Sequence, residues 1–220
     1  MKYKHVIWIV VLVLAADQAL KFWVKTHMTM DQEFMVIGNW FRIHFLENPG
    51  MAYGLEFGGN FGKILLTLFR LVAVILGFGL MKKLVRENYS NGLLVFGALI
   101  LAGAAGNLID SMFYGMIFTD SNYYQVAQFV PNGGGYGHFL HGRVVDMLYF
   151  HLYDDVLPNW VPFSGGKHFI FFAPIFNIAD ASISVGVIAI LLFQKKLLHK
   201  KTAPMVTDGA TVNTASEHTA

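Results

Sequence analysis

The sequence predicts an all-α membrane bundle of four transmembrane helices carrying a small outward-facing antiparallel sheet. Three observations predict it. Of 220 residues, 55% are hydrophobic and 14% charged, whereas a soluble domain is nearer a quarter charged. Four windows are apolar over lengths close to the ~20 residues a bilayer requires. Between the first two, one stretch alternates apolar and polar residues with the period of a half-buried strand. The formal charge of +2 is too small to imply nucleic acid. The chain contains no cysteine, which excludes disulfides, thiolate catalysis and cysteine metal sites. The nine histidines are scattered, with no His-x-x-x-His on one helix face, so they carry no metalloprotease signal.

The first window spans about residues 5–24 and follows Lys2 and Lys4. It resembles a signal peptide, but Leu14-Ala15-Ala16 lacks the small-x-small cleavage pattern, so it reads as a retained span. The second covers about 64–81, the third about 92–109 and the fourth about 171–193. The third contains Ala102-Gly103-Ala104-Ala105-Gly106, small residues that let helix backbones approach closely. Arg70 stands several residues inside the second span. It can snorkel outward or pair with an acid in the bundle, and the sequence does not choose. Residues 1–201 read as a single integral membrane domain, and 202–220 as a small, polar, disordered tail on the cytoplasmic side.

Orientation follows from Lys and Arg. Lys2 and Lys4, then Lys82, Lys83 and Arg86, then Lys195, Lys196, Lys200 and Lys201 mark three cytoplasmic segments. Both termini are therefore inside, and the loops of about 25–63 and 110–170 face outward. Two Asn-x-x-Asp runs, Asn107 to Asp110 and Asn177 to Asp180, then fall at the same outer boundary. Residues three apart share a helix face, so each Asn stands beside its Asp. Asp17 and Lys21 share a face on the outer half of the first span, with Lys21 close enough to the boundary to snorkel. Asp146 belongs to the loop between the two runs. Ionisable groups at membrane depth are costly and mark function by default.

In the outer loops, Phe41, Ile43 and Phe45 alternate with Arg42 and His44, which predicts a strand over 40–46. Glu47-Asn48-Pro49-Gly50 is turn chemistry, and 51–57 can return as a second strand. Residues 114–136 are rich in Tyr, Phe and Gly and read as a loop.

These residues together resemble a family. Asp17-Gln18-x-x-Lys21, Asn48-x-Gly50-x-Ala52-x-Gly54, Gly106-Asn107-x-x-Asp110, Val144-Val145-Asp146 and Phe176-Asn177-x-Ala179-Asp180 are similar, in order, to the motifs of lipoprotein signal peptidase (signal peptidase II). The resemblance implies four helices with an outward β-cradle and a short periplasmic helix, in the bacterial inner membrane. It implies an aspartic peptidase with no metal or other cofactor. The activity it implies is removal of signal peptides from diacylglyceryl-modified prolipoproteins. The partners it implies are that lipid-modified substrate and membrane lipids. By motif, Asp146 and Asp180 would be the catalytic pair and Asn177 the residue that orients it. Asn48, Gly50, Gly54, Asn107 and Asp110 would support the site or contact substrate, and Asp17 and Lys21 would be structural or substrate-positioning. One position departs from the pattern. The family usually carries Arg directly after Gly-Asn-x-x-Asp, where this chain has Ser111. The segment 112–142 is also longer than usual. Arg143 is a candidate for the missing cation.

Peptide hydrolysis needs an activated water and a proton for the departing amine. Two close carboxyl groups supply both when one is ionised and one protonated, because like charges at short range raise one pKa and leave a shared proton. Rival readings exist. A proton-coupled transporter or channel also uses intramembrane acids, but it would carry polar residues through the full depth of its spans. A non-catalytic scaffold would tolerate loss of either acid.

Overall fold

The computed structural model describes residues 1–49, 59–160, 162, 164–171 and 174–200. The expected return strand over 51–57, with Gly50, Ala52 and Gly54, and the tail 202–220 lie outside the described residues. Among the described residues, three helices are long and apolar enough to cross a membrane. They are α1 (Tyr3–His27), α2 (Gly59–Arg86) and α3 (Asn91–Ile109). α2 overruns its apolar window at both ends. Its last turn carries Lys83 and Arg86, which are good helix formers, so a window that stops at charge stops too early. α3 starts at an N-cap, where Ser90 Oγ accepts from Leu93 N at 3.2 Å. It passes directly into a π-turn, Asp110–Tyr114, and a short α4, Gly115–Ile117.

The fourth span differs from the expectation. Helix α5 covers only Ile178–Leu192, an apolar helix of 15 residues, followed by α6 (Gln194–Leu197). Among the described first residues of the expected span, Phe171 and Ile175–Phe176 are strand instead. Pro174 has no amide hydrogen to donate to a helical ladder, and Asn177 supplies an N-cap that starts the helix late. Hydropathy alone cannot tell an apolar strand from the head of an apolar helix.

Helices α1, α2 and α3 meet over Val6, Val10, Val74, Leu94, Ala98 and Leu101. The small-residue stripe serves α3–α5 packing. A Cβ on Gly103 would lie 2.2 Å from Ala179 O, and one on Gly106 would lie 2.7 Å from Asp17 Oδ2. The opposite side of α2 leaves Phe61, Leu65, Phe69, Val72, Ile75 and Leu76 exposed. So large an apolar face suits lipid rather than water.

The two ends of the bundle differ. At one end the three basic segments come together. The amino terminus donates to Asn91 Oδ1 at 2.8 Å, Ser90 Oγ donates to Leu197 O at 2.6 Å, and Lys200 pairs with Glu87 at 3.0 Å. At the other end sits an antiparallel sheet in the order β1–β2–β3–β6, made of Glu33–Ile37, Phe41–Asn48, Val144–Phe150 and Ile175–Phe176. A separate hairpin pairs β4 (Tyr153–Val156) with β5 (His168–Phe171). The alternating stretch does form β2, but its described partners are β1 and β3. Asp146, expected in a loop, lies on β3. Ile43, Phe45, Val145 and Met147 from the sheet bury against Val24, Met28, Tyr114 and Phe118. This second core seats the sheet on the ends of α1 and α3 opposite the basic segments.

Candidate active site

The shortest strand in the sheet positions the acids. β6 pairs with β3 so that Phe176 faces Leu148 and Ile175 faces Tyr149. The chain leaving β6 must therefore turn into α5 beside Asp146. The residue at that turn is Asn177, the N-cap of α5, and Asp180 is the third helical residue. They form a reciprocal capping box. Asn177 Oδ1 accepts from Asp180 N at 2.8 Å, and Asp180 Oδ2 accepts from Asn177 N at 3.4 Å. Such a box satisfies two orphan amides of a helix start. Asn177 has donors left over, and Nδ2 gives one to Asp146 Oδ1 at 2.7 Å. One asparagine thus touches both carboxyl groups.

Asn107 closes the arrangement from α3. Its Nδ2 donates to Asp180 Oδ1 at 2.7 Å, and its Oδ1 accepts from Asn177 Nδ2 at 3.2 Å. The same oxygen accepts from Lys21 Nζ at 3.0 Å. Lys21 does not snorkel. It is fully buried, 2.9 Å from Asp17 and 2.7 Å from Asp110. A buried ammonium between two carboxylates is compensated in place, whereas removing a partner would leave a bare charge. Asp17 Oδ1 also accepts from Ala179 N at 2.9 Å, which ties α1 to the first turn of α5. Asp110 Oδ2 accepts from Val145 N at 3.4 Å, steadying β3 one residue before Asp146. The two Asn-x-x-Asp runs are therefore not equivalent. One is a capping box, and the other crosses from α3 into the π-turn. π-turns inside helices recur at functional sites.

The two acids of the pair sit in different surroundings. Asp146 is buried and Asp180 half-buried. Burial, and then the charge of Asp180, push the Asp146 carboxyl from 3.8 up to about 7, against the pull of hydrogen bonds from Asn48 and Asn177. Asn48 Nδ2 lies 3.4 Å from Asp146 Oδ2. Asp146 is thus held toward its protonated form beside the more accessible Asp180. This division suits general acid–base work on a water and a carbonyl. Among the described residues, no group of three or more His, Asp or Glu side chains converges in a way that could hold a metal ion.

The remaining expected residues divide clearly. Gly50 and Gly54 lie outside the described residues. Arg143 turns away from the pair, with Nη1 3.0 Å from Glu47 and 2.7 Å from Asp120. That cluster belongs to the long 112–142 segment. Lys25, fully buried, binds Glu47 and, at 2.9 Å, Ser121. Tyr136 packs its ring under the Arg143 guanidinium at 4.7 Å. The segment is thereby docked on the end of α1 and on β2, and Arg143 serves that docking.

Sequence reasoning did not assign three contributors. Gln18 donates to Asp110 Oδ1 at 2.8 Å and accepts from Tyr114 OH at 3.2 Å. Tyr114 falls four residues after Asp110, a spacing that could have signalled it. The third is Arg70, whose Nη1 lies 3.4 Å from Ser111 Oγ. That contact lies within the bundle and is to a hydroxyl.

Residues 9–195 match the family described as Signal peptidase (SPase) II. A lipoprotein signal peptidase of Porphyromonas gingivalis is 47% identical over 207 residues, covering 94% of this chain and 87% of that protein. One of Amoebophilus asiaticus is 37% identical over 216 residues, covering 95% and 87%. Two solved bacterial membrane enzymes share the fold. One has a TM-score of 0.56 at 25% identity, over 91% of this chain and 95% of that one. The other has 0.54 at 26%, over 88% and 94%.

Proposed function

The chain belongs to the signal peptidase II family, an aspartic endopeptidase family, and from that premise we propose that Asp146 and Asp180 are the dyad that cuts the signal peptide from diacylglyceryl-modified prolipoproteins. The observation that carries the assignment is the double contact of Asn177, side-chain amide to Asp146 and backbone amide to Asp180. Asp180, charged and more accessible, takes a proton from the attacking water. Asp146 donates its proton to the scissile carbonyl as the tetrahedral intermediate forms. Asp180 then passes the acquired proton to the leaving amine, Asp146 recovers its own as the carbonyl re-forms, and the pair returns to one shared proton. Asn177 and Asn107 hold the two carboxyl groups. Asp17, Lys21 and Asp110 hold α1, α3, α5 and β3 in register around them.

The membrane placement follows the same logic. α1, α2, α3 with its extension, and the shorter α5 form a four-span bundle in the bacterial inner membrane. The basic end and both termini face the cytoplasm. The sheet is a cradle on the outer face, where water reaches the dyad while the substrate's acyl chains stay in lipid. The transporter alternative finds no support, because the basic-end half of the bundle is filled with aliphatic side chains.

The test is cleavage of a lipidated prolipoprotein by purified protein in detergent or lipid. Asp146→Asn and Asp180→Asn each abolish cleavage while the chain still inserts and folds. Chelators leave the wild-type rate unchanged. Full activity in both variants would remove the dyad assignment, and chelator inhibition reversed by zinc would point to a metal mechanism.

A further inference from the structure

Where the long segment 112–142 meets the start of α2, a cavity of about 280 Å³ opens, near the lower end of the range for small-ligand sites. Its lining side chains are Lys63, Tyr136, His138, His141 and Arg143, with no acid among them. Lys63 stands one turn into α2, in sequence between the exposed Phe61 and Leu65. Its Nζ donates to His141 O at 2.7 Å, and among the described residues it pairs with no carboxylate. Arg143 makes both of its ion pairs through Nη1, to Glu47 at 3.0 Å and to Asp120 at 2.7 Å. Among the described residues its Nη2 and Nε therefore keep hydrogens to donate. The ring of Tyr136, 4.7 Å from the guanidinium carbon, holds that fork in place. His141 Nδ1 donates to Phe139 O at 2.9 Å, which leaves Nε2 for a ligand, and the His138 ring packs edge-on to it at 6.3 Å between centres. Around the cavity, Lys25, Lys63 and Arg143 face two acids, Glu47 and Asp120, so one positive charge is in excess.

The rim of the cavity is apolar. Phe139, between the two lining histidines in sequence, lies 5.8 Å from Phe113 by ring centres, and both rings are exposed, as is Met116 nearby in the chain. Phe61 and Leu65 bring in the lipid-facing side of α2. A soluble anion gains nothing from such a rim, whereas a phospholipid presents phosphate and acyl chains together. Basic pockets beside spanning helices bind anionic headgroups on this principle.

We propose that this cavity is a phospholipid site: Lys63 and Arg143 bridge the phosphodiester of an anionic headgroup, and the acyl chains lie over Phe113, Phe139 and the exposed side of α2. An ammonium serves as a point charge and a guanidinium as a two-pronged donor to phosphate oxygens. The single excess charge matches a headgroup of net charge −1, and a zwitterionic headgroup brings its own cation and gains less. A lipid held there ties the long segment to α2. The inference needs α2 to lie against lipid and is independent of which residues cut the substrate.

The experiment is native mass spectrometry of the purified full chain in detergent, titrated with phosphatidylglycerol, with phosphatidylcholine of the same acyl chains, or with inorganic phosphate. Wild type retains phosphatidylglycerol roughly tenfold more tightly than phosphatidylcholine, the scale of one charge-assisted hydrogen bond. Lys63→Gln removes that preference and leaves phosphatidylcholine binding unchanged, and Lys63→Arg keeps it. Exchanging a charge for an apolar group in a spanning helix lowers its insertion cost, so Lys63→Met replaces the Gln variant if that one fails to accumulate. Equal retention of the two lipids by wild type, or an undiminished preference in Lys63→Gln, overturns the proposal. Retention of inorganic phosphate that depends on Lys63, without any preference between the lipids, overturns it as well, because the site then serves a soluble anion.

Discussion

Replacing Asp146 by Asn should kill the enzyme and, at neutral pH, stabilise it. In the folded chain the Asp146 carboxyl titrates at about 7, against 3.8 for a free side chain. Below pH 4 it is neutral whether folded or not and contributes nothing. Between pH 4 and 7 the folded chain keeps a proton that the unfolded chain has released, so stability falls as pH rises through that window, and above about 7 the loss levels off. A shift of this size corresponds to roughly 4 kcal/mol. Asn removes the charge and therefore the slope. It keeps an oxygen for Asn177, but it presents an amide to Asn48 where Oδ2 stood. That mismatch costs about 1 kcal/mol at every pH. Asp146→Asn is therefore slightly less stable than wild type at pH 4 and more stable by roughly 3 kcal/mol at pH 8. For a chain of this size each kcal/mol moves Tm by roughly 2–4 °C. Tryptophan-fluorescence melting of both proteins in the same micelles, from pH 4 to 8, reads the crossover directly. A difference in Tm that does not change with pH would refute the buried, proton-holding environment inferred for Asp146.

Two further substitutions probe the scaffold. Lys21→Met leaves Asp17 and Asp110 facing each other without their cation and should cost roughly 3–5 kcal/mol, seen as loss of folded protein on size-exclusion chromatography in detergent. Gly103→Val drives a side chain into Ala179 O. It should cost roughly 1–3 kcal/mol and reduce cleavage at least tenfold, because parting α3 from α5 separates Asn107 from Asp180.

Much of this was legible in the sequence, and the exceptions have physical causes. Three spans follow from hydropathy alone, and the alternation over 41–45 marks β2. Asn177 and Asp180 could be paired from their spacing, and the spacing proved to be that of a capping box. Asp146 was misplaced into a loop because β3 is a nearly continuous apolar run, Val144–Phe150, without the alternation that announces a half-exposed strand. The head of the fourth span was misread for a similar reason. Lys21 was expected to snorkel because a single sequence shows no partner. Only the fold brings Asp110 to the ammonium already beside Asp17. Arg143 stands next to Val144 in the sequence, yet its acids come from β2 and the long segment. Arg70 could not be assigned at all, since its neighbour Ser111 is 41 positions away in the chain.

The bond from the Ala179 amide to the Asp17 carboxylate joins α1 to α5. The cutting apparatus therefore cannot be assembled progressively as the polypeptide emerges from the ribosome. A nascent chain stopped before residue 177 holds Asp146 of the proposed pair but lacks Asp180 and the Asn177 that touches both. On the proposed assignment, the pair is complete only once α5 has been made.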